Sequence, residues 1–185
     1  MKLSKKVVAS IALLISSTAS FADEDDAISA LVLNQAQFSI EQAIKQVNSN
    51  YPGQIIELEL DEHKGQGVYE IKVIDINAEQ EQKLYISLEN GEVLKTQTKS
   101  LKILGVNKLD DDERQALAAL QDSEFSLSET LAELESSLQG KVHEFELENE
   151  KGITYYQFEL MTQSGKRKMI VDVASGQQIP MTRHD

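Results

Sequence analysis

Between Ile40 and Tyr51 the apolar residues recur as Ile40, Ala43, Ile44, Val47 and Tyr51, a stripe along one helix face. Ser39 and Gln42 have capping-box spacing at its start. Pro52-Gly53 predicts its end, glycine suiting the left-handed backbone that closes a helix. The period then changes to two. Ile56, Leu58 and Leu60 alternate with Glu57, Glu59 and Asp61, which predicts a strand with one buried and one wet face. His63 to Gly67 reads as an exposed hairpin loop. Tyr69, Ile71 and Val73 mark a second strand, and Leu84, Ile86 and Leu88 a third. Asn90-Gly91 offers the positive-φ residues of a tight hairpin, from which Glu92 to Gln97 returns as a fourth.

The same unit comes again 87 residues later. At that offset Phe38-Ser39 falls on Phe125-Ser126, Gly53 on Gly140, Glu59-Leu60 on Glu146-Leu147, Lys64-Gly65 on Lys151-Gly152 and Tyr69 on Tyr156. Leu127, Leu131, Leu134 and Leu138 repeat the helix stripe, capped by Ser126 with Glu129 and ended by Gln139-Gly140. Phe145 and Leu147, then Tyr156, Phe158 and Leu160, then Met169, Val171 and Val173 repeat the strands. The expected fold is α+β: two tandem units, each a helix packed on a small antiparallel β-meander. Unit boundaries fall at 23–97 and 108–185. The link 98–107 carries Leu101, Ile103, Leu104 and Val106, too apolar for a free linker, and is expected to pack. One row departs from the repeat. His143 stands where the first copy has Ile56. It reads as a residue at a strand edge with Val142 filling the core, the alternative being a pH-sensitive position.

A helix, Tyr51-Pro52-Gly53, the acidic strand Ile55 to Asp61, Gly67-Val68-Tyr69-Glu70-Ile71 and the stretch Tyr85-Ile86 through Gly91-Glu92-Val93-Leu94 together resemble the PepSY domain family. The second copy is similar, with Leu138-Gln139-Gly140 and Ser175-Gly176-Gln177 replacing two of the motifs. The resemblance spans most of residues 23–185 and rests on turns and core positions. It implies the helix-on-meander fold. It also implies a role like that of family members found in thermolysin-type propeptides, spore-cortex proteins and small secreted bacterial proteins, which restrain or modulate peptidases without catalytic residues of their own.

Composition narrows the partners. Lys2, Lys5 and Lys6, the apolar run Val7 to Ile15, and Ser20 and Ala22 before Asp23 read as a cleaved signal peptide over residues 1–22. The run is too short for a membrane span, and no later one is longer. Removing the three lysines takes the formal charge from −13 to −16. A chain this acidic repels nucleic acid and anionic lipid surfaces. The expected location is the periplasm, or alternatively outside the cell, with no membrane insertion after cleavage.

Candidate chemistry is sparse. There is no cysteine, so neither a thiol nucleophile nor a lipid or thiolate-metal site is available. His63, His143 and His184 lie far apart without zinc-site spacing, and no phosphate-binding loop or nucleophile elbow occurs. His63 beside Asp61 and Glu62 reads as a solvated turn. Asp110 to Glu113 reads as a helix start before a helix from Arg114 to Gln121, the acids complementing its dipole, and Asp23 to Asp26 reads likewise. The basic stretches around Lys99 to Lys108 and at Lys166-Arg167-Lys168 are solvated faces or contact points for acidic partners. The expectation is therefore a non-enzymatic cell-envelope binding or regulatory protein, acting on a peptidase or an envelope sensor. No catalytic, cofactor or metal residue is assigned. Tyr85, Lys83, Lys72 and His143 form the candidate contact surface, with Tyr85 exposed and open strand edges able to accept an extended peptide. The alternative is a small-ligand carrier using a cleft between the units.

Overall fold

The computed structural model describes residues 24–103 and 106–181; the signal segment and His184 lie outside them. Each unit has two helices before its strands. Unit one runs α1 (Glu24–Gln35), α2 (Ile40–Asn50), β1 (Gln54–His63), β2 (Gln66–Asp75), β3 (Gln80–Ser87) and β4 (Val93–Ser100). A short hairpin, β5 (Lys102–Ile103) and β6 (Val106–Asn107), leads into unit two. There α3 (Asp111–Asp122), α4 (Leu127–Leu138), β7 (Gly140–Glu150), β8 (Ile153–Thr162), β9 (Gly165–Asp172) and β10 (Gln178–Met181) repeat the order. The offset of 87 carries α1 onto α3 end to end.

The caps explain why the helices start where they do. Ser39 and Gln42 form a complete capping box, as do Asp110 and Glu113, whereas Ser126 caps Glu129 without the return bond. The helix ends differ from expectation. Tyr51 leaves α2 in an extended conformation, and Gln139, not Gly140, takes the left-handed one after α4. Gly53 has another purpose: a Cβ there would lie 2.5 Å from the Ile74 carbonyl oxygen. Lys64-Gly65 and Lys151-Gly152, all at positive φ, make two-residue hairpin turns in both units, so His63 belongs to β1 and not to a loop.

The two meanders are not separate sheets. They merge into one antiparallel sheet of eight strands, ordered β10-β9-β8-β7-β1-β2-β3-β4. The joint is short: Glu57 pairs with Glu146, Leu58 with Phe145 and Glu59 with Glu144. Leu58 thus faces its own equivalent, and a pseudo-twofold axis passes between the two residues. The amphipathic helices α2 and α4 cover one face. There Ile44, Val47, Leu131 and Leu134 bury Leu58, Ile71, Phe145, Phe158 and their neighbours in one continuous core. Tyr156, fully buried, donates its hydroxyl to the Ile55 carbonyl at 2.5 Å and so ties the units together.

On either side of the joint β1 and β7 part, and the remaining helices sit at the two gaps. Leu117 of α3 packs with Ile56, Ile74 and Leu147. At the other end α1 places Ala30 and Leu33 beside Gly140 and Met161, and Ile28 and Val32 beside Leu60 and Gly67. Each gap holds a β-bulge, at Ile56 in β1 and at His143 in β7. The bulge sends Ile55 into the main core and turns Ile56 toward α3, which corrects the expected alternation. His143 is likewise not at a sheet edge, since β7 is a central strand, while Val142 does fill the core.

Candidate functional site

The face of the sheet away from α2 and α4 carries the polar member of every strand pair. Two rows cross it. One reads Lys168, Glu159, Glu144, Glu59, Glu70, Tyr85, Lys95 over seven adjacent strands, each residue directly opposite the next. The other reads Gln157, Glu146, Glu57, Lys72, Lys83, Gln97. Down the middle, β1 and β7 contribute Glu57, Glu59, Asp61, Glu144, Glu146 and Glu148, six carboxylates on two neighbouring strands.

Lysines flank this seam without neutralising it. Lys72 pairs with Glu57, Lys83 with Glu70, and Lys168 and Lys166 with Glu159. Among the described ion pairs none reaches Glu59, Glu144 or Glu146. Burial and then neighbouring carboxylates push these three upward. Glu59 is raised to about 7 by desolvation, the Glu70 charge and a hydrogen bond shared with Glu70. Glu144 and Glu146 rise chiefly by burial, then by the charges of Glu159 and Glu148 respectively. Glu70 is held below the usual carboxylate range because bonds from Lys83 and Tyr85 outweigh its burial. Near neutrality Glu59 is therefore within reach of its own titration, and a cationic partner would displace its proton.

The four expected contact residues fall differently. Lys72 and Lys83 are on this face, engaged in the ion pairs above. Tyr85 is buried, not exposed: His63 packs 5.1 Å away, Lys95 lies 4.7 Å over its ring, and its hydroxyl bonds Glu70. His63 is half-buried by the same contact, which corrects its reading as a solvated turn. His143 lies at the end of the seam, buried, with Nε2 3.8 Å from Glu159 Oε2. The strand edges are blunted, β4 by Lys95 and Lys99 and β10 by Pro180. Sequence reasoning missed the seam because the face of each strand was legible while the pairing of β1 with β7 was not.

Glu59, Asp61 and Glu70 bring one carboxylate oxygen each within 4.8 Å of one another, the hard-oxygen geometry that suits a divalent cation. Among the described residues there is no cleft at the centre of the boundary between the units, since β1 and β7 are paired there. Open cavities of about 420 and 450 Å³ remain at the two ends, beside α1 and α3. Among the described residues no helix is long and apolar enough to cross a membrane.

The duplicated helix-on-meander defines a class, and comparison with known families gives that class a name. The family described as peptidase propeptide and YPEB domain matches twice, over residues 38–97 and 115–179, and the chain belongs to this PepSY family. Its domains are protein-interaction modules, generally non-catalytic. The first match leaves α1 outside, whereas the second takes in most of α3. Among solved structures, a proposed lipoprotein from Clostridium difficile 630 is similar over 82% of this chain and 96% of its own, at 18% identity and a TM-score of 0.45. No curated protein matches the chain.

Proposed function

We propose that this protein is a non-enzymatic binding module of the cell envelope, exported after cleavage before Asp23. Its β1–β7 seam holds a basic segment of a protein partner, such as a peptidase or an envelope sensor that it modulates. The observation that carries the reading is the run of carboxylates on two adjacent strands, of which Glu59, Glu144 and Glu146 have no lysine partner among the described ion pairs. Like charges directly opposite one another destabilise a sheet. Charge complementarity with a cationic segment offsets that cost on binding and speeds encounter. Affinity should rise with pH through about 7, as Glu59 gives up its proton, and fall with salt.

The experiment is capture from envelope extract at low and high salt, with wild type beside a Glu59→Gln/Glu144→Gln/Glu146→Gln variant. A partner held by wild type at low salt, released by high salt and lost by the variant supports the seam. A partner held equally by both proteins would refute it. So would hydrolysis catalysed by the pure protein and lost on substituting His63 or His143.

A further inference from the structure

The same joint is built twice, once from apolar side chains and once from ionisable ones. At the α3 end the bulged Ile56 meets Leu117 and Ile74. The equivalents at the α1 end are His143, Ala30 and Met161. The smaller Ala30 leaves a cavity of about 420 Å³ lined by Leu33, Gly140 and Met161, and α1 is held there by charge. The Lys166 ammonium lies 2.9 Å from Asp26 Oδ1 of α1 and 3.2 Å from Glu159 Oε2 of β8. His143 Nε2 points at that same Glu159 oxygen from 3.8 Å. The residue is buried, 7% exposed, and its Nε2 has no hydrogen-bond partner among the described residues.

From this geometry we infer that His143 makes the docking of α1 on unit two dependent on protonation, with α1 docked while the imidazole is neutral and released when it gains a proton. The groups facing His143 are Glu159 on β8, Lys166 and Lys168 on β9, and Asp26 on α1; Lys141 and Glu144 flank it on β7. Those four facing charges already balance. A proton on Nε2 adds a third cation to the enclosure and sets it against the same Glu159 oxygen as the Lys166 ammonium, so that it repels the cation to which Asp26 anchors α1. Opening the joint brings water to the imidazolium and relieves both costs.

The direction of the pH effect follows. Burial lowers the docked-state affinity of His143 for its proton, outweighing the attraction of Glu159. The open state therefore binds more protons. Docking is complete above the free imidazole value of about 6.5 and is lost as pH falls below it, by up to about tenfold per pH unit until the docked value is reached. Glu144, whose affinity for protons is raised, acts with the opposite sign. This inference stands apart from the partner reading, because it concerns the free protein.

Amide hydrogen exchange of the full chain tests it, with protection over Asp26 to Gln35 corrected for intrinsic rates. Between about pH 7.5 and about pH 5.5, α1 protection should fall in wild type, by up to about tenfold, while α3 protection stays flat. In His143→Ile, which copies the Ile56 joint and keeps Glu144, the α1 fall should vanish. Flat α1 protection in wild type, or an equal fall in the variant, overturns the inference. A second readout needs no variant. The His143 ring resonances must titrate below the ordinary imidazole value, together with the α1 amides; titration at or above that value is equally fatal.

Discussion

Replacing Glu59 by glutamine should make this protein more stable, although it removes a charged residue from the middle of its polar face. Glu59 stands directly opposite two other glutamates, Glu70 on one side and Glu144 on the other, and has no lysine of its own among the described ion pairs. Each opposed like-charge pair costs about 0.2–1 kcal/mol, so relieving both contributes roughly 0.5–2 kcal/mol. Glu59 is half-buried, and solvent screening holds the figure at this scale. Its folded-state value near 7 lies above the ordinary 4.5. The protonated form is thus favoured by folding, and that stability is present below 4.5 and lost as pH rises through 7.

The gain from Glu59→Gln should accordingly be near zero at about pH 4, open between there and neutrality, and level off by about pH 8 at roughly 1–8 °C in Tm. Denaturation at both pH values, with Glu57→Gln alongside, reads it directly. Glu57 already has Lys72, so its substitution should give little or no gain. A Glu59→Gln protein that is less stable at high pH, or that gains equally at both, would refute the electrostatic account of the seam. Stabilisation together with lost partner capture would show that the acid is retained for binding.

Two further outcomes follow from the same structure. Leu58→Ala and Phe145→Ala, each emptying a fully buried site on the axis, should each cost about 2–5 kcal/mol in urea unfolding, with the double variant costing less than their sum because the two residues oppose each other. Intact mass of the exported protein should begin at Asp23, and a retained Met1 would contradict cleavage.

Most of each unit was legible in the sequence, because the strand period of two and the helix period near 3.6 report burial directly. Leu58, Tyr69, Ile71, Phe145 and Phe158 are core as expected. Three things were hidden, each for a physical reason. Bulges insert one residue without changing composition, so Ile56 and His143 could not be placed on the right side of their strands. The union of two meanders through β1 and β7 depends on a three-pair contact far apart in the chain, which no local period encodes. Tyr85 alternates with core residues and so was assigned to water, but its ring is buried by His63 and Lys95, contacts that only the closed sheet supplies.

The twofold relation also decides how the seam should be understood. When a unit joins its own copy through the same strand, with Leu58 on Phe145, Glu57 must face Glu146 and Glu59 must face Glu144. Four opposed glutamates are therefore a geometric consequence of duplication, and taken alone need no function. The copies, however, have since diverged all around them: Glu70 corresponds to Gln157, Lys72 to Glu159, Ile56 to His143, and Leu117 to Ala30. One of these differences, Lys72 against Glu159, sets a further carboxylate beside Glu144 in the second copy. A neighbouring column holds a neutral residue in one copy, Gln157 against Glu70. The axial positions kept their charge against the repulsion it causes. A cost present at the axis while the flanks differ is what the proposed binding of a basic segment on the seam accounts for, and it leaves the flanks, with His143 among them, as the part by which one end of the protein differs from the other.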